Sequence, residues 1–423
     1  MSQQKLEEKI GVSGLAPAIV VLKPNMMLRG RADRQTSGKL KYTLKPAGRG
    51  RLSRPHPAVD EQAVAELSGI FYAGDTDQSK KQRPPMLHLP RLGIAYGFVD
   101  RQGLQNLQEN ISIEEIHHAP ELTMIRPHAE SASGSASPEI AWGLQRMGVP
   151  QMWERGLTGA DVLVAHLDTG ADALHPMLKD AIAEYMVFDS NGHRVVQQGL
   201  CKDSADHGTH TASIIAGRSV AGGPVIGVAP GAKLACATVI DGGDAVARVL
   251  AGMEWALEIG ARILNLSLGF LEWDDSFLHI MKTLRAQQLL PVVAIGNEGA
   301  NRSRSPGNYG YVLSVGAVTE NSVVAPFSGS ENHDQFSGPK LCAPGVNILG
   351  AAPAGQYKSV AGTSESTPFV AGLAALLFDA KPKASIEEIE QAIIASCERP
   401  AGSDPARIGA GIPNGPAALS CLR

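Results

Sequence analysis

Aromatic residues and cysteine are scarce in this chain of 423 residues, at 5% and five residues respectively. No apolar run approaches the roughly 18–20 residues that a membrane-spanning helix needs, which excludes an integral membrane protein of that kind. Hydrophobic residues make up 43% and charged residues 19%, a balance that excludes a wholly disordered or fibrous chain. The net charge of −4 argues against nucleic acid as the main partner.

The cysteines are odd in number, widely spaced and without a metal-binding pattern (Cys201, Cys236, Cys342, Cys397 and Cys421). Free thiols in a reducing compartment are the simplest interpretation of such a set. Residues 1–9 lack the apolar core of a signal peptide. These features predict a cytoplasmic protein, with export by a non-standard route left open.

Residues 1–127 predict a small α+β domain. A short flexible lead over 1–16 is expected, and the apolar and polar patterns that follow it indicate strands at Ala18–Lys23, Gly93–Val99 and Leu122–Ile125 and helices near Glu61–Leu67 and Arg101–Glu109. Residues 28–57 form a basic insertion with nine Lys and Arg against one acid. Such a stretch can bind nucleic acid, but with one aromatic residue a solvated loop is the preferred interpretation.

A Ser-rich tract of small residues at 128–138 predicts a linker, because such a composition cannot bury a core. After it, apolar strands alternate with helical patterns. The predicted strands are Val162–Leu167, Lys233–Ile240, Ile263–Leu268, Pro291–Ile295 and Val312–Val318. This alternation predicts a doubly wound, mostly parallel sheet with helices on both faces, over residues 139–423. Ligands of such sheets bind at the carboxyl ends of the strands, so the residues there are the first candidates for a functional site.

Five polar residues follow strands or open helices in this second region. Asp168 ends the first strand, where an acid can orient an imidazole, although Asp is common at strand ends. His207 and His210 open a helix at i, i+3 spacing; a metal pair and two structural caps are the alternatives, and no third ligand has recognisable spacing. Ser364 precedes an apolar helix, as a nucleophile or an ordinary N-cap. Asn297 follows a strand and could donate to an oxyanion.

The order Asp, His, Asn, Ser along alternating strands and helices is far more specific than any one of these residues. Residues 139–423 closely resemble the subtilisin-like serine proteases, or subtilases. In that family the catalytic residues follow one another along the chain in the order Asp, His, Ser. The matching motifs are Trp142–Arg146, Asp168–Gly170 with His175-Pro176, His207–His210, Gly227–Ala232, Asn265–Gly269, Ala343–Gly345, Gly362–Pro368 and Gly409–Asn414.

The resemblance implies a role for each matched residue. Ser364 would be the nucleophile, His207 the general acid and base, and Asp168 the group that orients His207. Asn297 would bind the oxyanion with the backbone N–H of Ser364. Ser267, Leu268 and Gly269 would offer a strand edge to an extended peptide or protein substrate.

The family also implies an enzyme made as a zymogen. Residues 17–127 resemble, more faintly, the subtilase propeptide, an intramolecular inhibitor and folding chaperone. Cleavage is then expected within about residues 126–141. The alternative from a different class is a catalytically silent, subtilase-like protein that binds peptides or a regulatory partner.

Three positions depart from the family pattern. Glu365 follows the nucleophile where Met is usual, which predicts an altered dependence of rate on pH. Met177 stands where the family's strong calcium site has an acid, so that site is expected to be absent, whereas calcium binding at weaker sites stays open. The resemblance implies no required cofactor. Arg304 aligns with the floor of the pocket for the residue before the cut, where it would favour an acidic side chain, although Glu298 nearby would oppose one.

Overall fold

The computed structural model describes residues 2–23, 27–28, 58–59, 66–69, 71, 86–132, 139–196, 199–242, 245–333 and 336–422. The basic insertion predicted at 28–57 lies outside these residues, apart from its first residue. Two-residue strands Met27–Leu28 and Ala58–Val59 pair with each other on either side of it.

The N-terminal part folds around an antiparallel sheet of four strands in the order β2-β3-β1-β4. Its elements are α1 (Ser2–Ser13), β1 (Ala16–Leu22), β2 (Leu87–Leu89), β3 (Ile94–Val99), α2 (Arg101–Glu109) and β4 (Ile113–His118). Alternate residues of β1 serve two cores. Ala18 and Val20 pack with α1 and α2, whereas Ile19 and Val21 join a core shared with the rest of the chain. One face of this sheet is therefore docked onto the C-terminal part.

The C-terminal part contains an eight-stranded sheet in the order β9-β8-β10-β7-β11-β13-β15-β18, parallel except for the β8–β9 pair. Its strands are β7 (Leu163–Asp168), β8 (Ile182–Phe188), β9 (Arg194–Val195), β10 (Lys233–Thr238), β11 (Ile263–Leu266), β13 (Leu290–Ala294), β15 (Leu313–Val318) and β18 (Leu341–Pro344). Shorter strands outside this sheet are β5 (Thr123–Met124), β6 (Ala129–Ala132), β12 (Leu268–Leu271), β14 (Arg304–Ser305), β16 (Glu331–His333), β17 (Phe336–Gly338), β19 (Ile348–Ala352) and β20 (Gln356–Ala361). Four neighbouring strands at one side of the sheet are buried at every position, as the near-continuous apolar runs predict (β11, β13, β15 and β18).

Helices cover both faces of the large sheet, which confirms the predicted α/β class. They are α3 (Trp142–Arg146), α4 (Val149–Glu154), α5 (His207–Ala216), α6 (Val246–Glu258), α7 (Leu278–Ala286), α8 (Thr363–Ala380), α9 (Ile386–Ala395), α10 (Pro405–Ile408) and α11 (Gly415–Cys421). Alternate side chains of β7 separate the two faces: Val164 packs with α5 and α8, and Leu167 packs with α6 and α7. None of the helices in the described ranges has the length and apolarity that a membrane crossing requires.

One expectation for the N-terminal region is wrong, and two further segments make contacts that the sequence did not indicate. Residues 2–13 form α1 rather than a flexible lead, because Leu6 and Ile10 lie one turn apart and both bury against the small sheet. The strand expected at 122–125 exists as β5, but it pairs with β12 of the large domain. The tract expected to be a linker contains β6, whose backbone pairs with β20; residues 133–138 lie outside the described part.

Buried polar contacts hold the small sheet against the large domain. The Glu254 carboxylate on α6 accepts the backbone N–H groups of Arg91 and Leu92, both at 3.0 Å. Asp274 Oδ2 accepts from Lys5 Nζ at 2.8 Å and lies 2.6 Å from His118 Nε2. Each carboxylate therefore satisfies donors from the other part of the chain, and its loss would leave those donors buried without an acceptor.

The Glu254 contact predicts that docking contributes to global stability. Glu254→Gln keeps the shape but turns an NH₂ group toward one of the two backbone donors. We expect the free energy of unfolding in urea to fall by about 1–3 kcal/mol. The measurement uses the Ser364→Ala background, and Glu184→Gln, an exposed strand position, is the control. Equal stability of the two variants would show that these hydrogen bonds do not hold the small sheet.

Candidate active site

A buried aspartate and histidine meet at the carboxyl end of the large sheet. Asp168 is the last residue of β7, and His207 is the first residue of α5. Asp168 Oδ1 lies 2.8 Å from His207 Nδ1, and both side chains are almost fully buried. The backbone N–H of Thr169 donates to the same carboxylate oxygen at 2.7 Å. The sheet topology thus brings together the two residues that the family resemblance pairs.

The two groups shift each other's pKa toward the charged forms. Burial opposes protonation of His207, yet the charge and hydrogen bond of Asp168 raise its pKa to about 9. Burial would raise the pKa of the Asp168 carboxyl, but the charge of His207 and its hydrogen bond hold it below the ordinary value. The arrangement therefore stabilises an imidazolium, the species that forms when a histidine takes a proton from a nucleophile.

Asp203 joins the loop after Asp168 to the helix turn that begins with His207, and no sequence pattern indicated this role. Its Oδ1 accepts the Thr169 hydroxyl at 2.6 Å, and its Oδ2 accepts the Thr209 N–H at 2.6 Å and the Thr209 hydroxyl. The Gly208 N–H in turn donates to the Thr169 hydroxyl at 2.9 Å. Asp203 thereby caps the first turn of α5 and fixes it to the loop after β7. Its position four residues before His207 is the only signal that could have suggested this role.

Ser364 lies in the first turn of α8, where backbone N–H groups have no partner within the helix. Its hydroxyl donates to the Ile125 carbonyl at 3.0 Å, so the nucleophile candidate contacts the chain's own N-terminal part. His207 Nε2, which would take the serine proton, makes no hydrogen bond within the described residues. Active-site hydrogen bonds of this kind are often incomplete before reaction.

Asn297 lies just beyond β13 and links α8 to the same N-terminal stretch. Its Oδ1 accepts the N–H and the hydroxyl of Thr363, both at 2.9 Å, which fixes the orientation of the amide. Its Nδ2 then points outward and donates to the Arg126 carbonyl at 2.9 Å. The side chain expected to bind an oxyanion is therefore already bonded to a peptide carbonyl.

We call residues 123–132 the cleft segment, because they pass Ser364 between two stretches of strand pairing. Before the site, β5 pairs antiparallel with β12, with Thr123 opposite Gly269 and Met124 opposite Leu268. The Ile125 N–H continues this ladder by donating to the Ser267 carbonyl at 3.1 Å. The edge predicted to accept an extended substrate at Ser267, Leu268 and Gly269 is occupied by the chain itself.

Beyond the site, the cleft segment is held by a second strand edge. The His128 N–H donates to the Ala361 carbonyl at 2.7 Å, and its ring stacks on Phe327 with centroids 4.7 Å apart. Residues 129–132 then pair antiparallel with β20, from Ala361 back to Lys358. Backbone hydrogen bonds therefore hold the cleft segment on both sides of Ser364.

Arg304 contacts the cleft segment, but at a different place from the one expected. Its Nη1 donates to the Thr123 hydroxyl at 2.9 Å, two residues before Ile125. Its Nε donates to Glu298 Oε1 at 2.7 Å, and both side chains are largely buried. Glu298 thus pairs with the guanidinium, in the position from which the sequence indicated that it would oppose an acidic substrate side chain.

Comparison with known proteins supplies the family. The Subtilase family (peptidase S8) model matches residues 159–411. Subtilisin BL from Lederbergia lenta is 35% identical over 59% of this chain and 88% of its own length. M-protease from Shouchella clausii is 33% identical over 66% and 69%. Subtilisin E from Bacillus subtilis is 31% identical over 69% and 72%. This chain belongs to the subtilase family. It is a serine-type endopeptidase that acts on peptide or protein substrates.

The expectation of a cytoplasmic protein is wrong. The relatives matched by this subtilase are secreted extracellular subtilisins, and a cytoplasmic location conflicts with that relationship. The cysteines do not decide the location, because five thiols without a disulfide are compatible with either side of a membrane.

The metal alternatives find no support in the described residues. Subtilases need no cofactor for catalysis. His210 Nε2 faces the Ile348 and Lys358 carbonyls at 3.1 and 3.3 Å, so this ring serves the backbone. Met177, at the position expected for a calcium ligand, is buried in the apolar core, and a thioether is a poor ligand for calcium. No group of three or more His, Cys, Asp and Glu side chains within the described residues is arranged to hold a metal ion.

The position of Asp203 predicts a measurable structural role. Asp203→Ala removes the acceptor of four donors, and we expect the free energy of unfolding to fall by about 2–3 kcal/mol, because hydrogen bonds to a charged group are involved. Asp206→Ala is the matched control, since Asp206 lies at the same helix end but forms one half-exposed ion pair with Lys358. Urea unfolding in the Ser364→Ala background measures both. A loss no larger for Asp203→Ala than for the control would contradict the assignment.

Proposed function

We propose that this subtilase hydrolyses peptide bonds with Ser364 as nucleophile, His207 as general base and acid, and Asp168 as the residue that orients His207. Ser364 Oγ attacks the carbonyl carbon while His207 Nε2 takes its proton. The tetrahedral intermediate then collapses, and the leaving amine receives that proton from His207. Water hydrolyses the resulting acyl-enzyme by the same steps. The buried 2.8 Å contact between Asp168 and His207 supports these roles.

The oxyanion would be bound by Asn297 Nδ2 and the backbone N–H of Ser364. The amide of Asn297 is oriented by its contacts with Thr363, so it needs no rearrangement to donate. Preorganised donors of this kind contribute roughly 10²–10³ in turnover each, a magnitude taken from a member of this same family. The edge formed by Ser267, Leu268 and Gly269 would align the substrate backbone.

We further propose that the chain is a zymogen inhibited by its N-terminal region and cleaved by its own active site. The contact that carries this proposal is the 3.0 Å hydrogen bond from Ser364 Oγ to the Ile125 carbonyl within a continuous segment. The N-terminal α+β domain, residues 1–127, would position that segment through its docked sheet. A free substrate would have to displace backbone pairing on both sides of Ser364.

The hydrogen bonds favour the Ile125–Arg126 peptide as the first bond cut. The ladder from Thr123 to Ile125 brings the Ile125 carbonyl to Ser364. The oxyanion donor Asn297, however, is bonded to the next carbonyl, that of Arg126. Nucleophile and oxyanion donor thus contact neighbouring peptide groups, and a shift of the segment must bring both onto one carbonyl. Because of this requirement, we expect each chain to be cut slowly and only once.

The intact mass of the purified chain over time tests these proposals. We expect the wild type to lose its N-terminal part and give a product that begins at Arg126, whereas Ser364→Ala stays whole. Ser366→Ala is the matched control, because Ser366 lies two residues further along α8 and its hydroxyl donates to the Ala343 carbonyl. This control should be processed like the wild type.

The other outcomes are equally informative. A product that begins at Pro127 would identify the Arg126 carbonyl as the reacting one and overturn the proposed bond. Processing of Ser364→Ala at the wild-type rate would refute self-cleavage. If every variant stays whole and no peptide is hydrolysed, the silent peptide-binding alternative is supported.

A further inference from the structure

Glu365 is a buried carboxyl directly after the nucleophile, and its surroundings are unusual. It has no exposure to solvent, and neither of its carboxyl oxygens accepts a hydrogen bond within the described residues. Buried carboxylates are ordinarily paired or hydrogen-bonded, because an isolated charge in the interior is strongly disfavoured. A side chain that departs from this rule beside the catalytic groups calls for a role in the reaction.

The carboxyl of Glu365 lies between the histidine motif and the oxyanion donor. Its Oε1 is 3.8 Å from His210 Nδ1, on the helix that begins with His207. A methyl group built on Gly362 would meet Glu365 Oε2 at 2.5 Å and Asn297 Nδ2 at 3.0 Å. The same glycine therefore borders both the carboxyl and the amide proposed to bind the oxyanion.

His210 favours the neutral, protonated form of Glu365. Its Nε2 faces two backbone carbonyls, so we assign the proton of the neutral ring to Nε2 and leave Nδ1 as an acceptor. Burial, His207 and Lys358 lower the pKa of His210 to about 3, which keeps the ring neutral. A protonated Glu365 can donate toward Nδ1, whereas an ionised one would place two acceptors face to face.

We propose that Glu365 is a positioning residue of this subtilase that acts through His207: its buried carboxyl, once ionised, holds a proton on the general base and so moves catalysis to alkaline pH. The inference rests on the triad assigned above. The charged and titratable groups that face Glu365 are His207 and His210 on α5, Asp168 at the end of β7 and Lys358 on β20.

The direction of the effect follows from the charges. Burial raises the pKa of Glu365 to about 7, so the carboxyl is neutral in acid and ionised above that value. An ionised carboxylate near His207 stabilises the imidazolium and raises the pH at which the histidine becomes a free base. The two groups titrate as a coupled pair, and the free base is reached only after Glu365 has ionised. An uncharged residue at position 365 removes this effect.

Titration of His207 by NMR in the full-length Ser364→Ala chain tests the proposal without requiring activity. The proton on His207 Nδ1, shared with Asp168, gives the signal. We expect Glu365→Gln to lower the pKa of His207 by about one unit, a tenfold weaker affinity for the proton. Glu390→Gln, which removes a buried carboxylate paired with Arg285 and Lys340 far from the site, is the control and should leave it unchanged.

A second variant and a kinetic measurement complete the test. Glu365→Met supplies the uncharged residue usual in the family, and it should lower the pKa of His207 in the same direction if Glu365→Gln fails to fold. In processed enzyme with Ser364 intact, the acid limb of kcat/KM on an uncharged peptide should shift to lower pH by a similar amount. An unchanged pKa of His207 in both variants would overturn the proposal for Glu365. Absence of peptide hydrolysis by processed enzyme that keeps Ser364 and Glu365 would instead count against the triad.

Discussion

The buried contact between Asp168 and His207 is the interaction on which the rest of the site depends. A carboxylate and an imidazolium are tolerated in the interior only when each compensates the other. Parallel strand β7 delivers the carboxylate to the sheet edge, and helix α5 begins with the imidazole. Asp203 and Thr169 then tie the two elements together. The electrostatics of the site are therefore a consequence of where one strand ends and one helix begins.

The same end of the sheet holds an extended stretch of the chain itself. The cleft segment satisfies its backbone groups on β12 before Ser364 and on β20 after it, as a bound peptide would. Its entry into the site depends on the docked N-terminal sheet, whose loop contacts Glu254 and whose last strand reaches Asp274. Docking, strand pairing and the contact with Ser364 form one connected set of contacts.

Much of the catalytic region could be predicted from the sequence, because its signals are local. Apolar runs such as Val312–Val318 predict buried parallel strands, and the residues at the ends of such strands are the candidates for the site. The course of Thr123 and Met124 could not be predicted in this way. A short run with strand character carries no information about its partner, and here the partner β12 lies some 145 residues further along the chain. Asp203 was missed for a similar reason, since its donors include Thr169, which lies 34 residues earlier in the chain. The helix at Ser2–Ser13 was overlooked because its apolar stripe is only two residues wide.

The location of the protein shows where composition misleads. Free cysteines and a polar N-terminus suggested the cytoplasm, yet the relatives are secreted extracellular enzymes. The motifs around Asp168, His207 and Ser364 indicate the family, whereas the number of cysteines does not indicate where the protein is located.

The central claim is that Ser364 is made nucleophilic by His207 in a site that the chain's own segment occupies. Labelling with an active-site fluorophosphonate, with the modified residue located by mass spectrometry, tests it most directly. We expect a label on Ser364 whose extent increases as the N-terminal region is removed, and we expect no label in His207→Ala. A label elsewhere, or equal labelling of the His207→Ala chain, would contradict it.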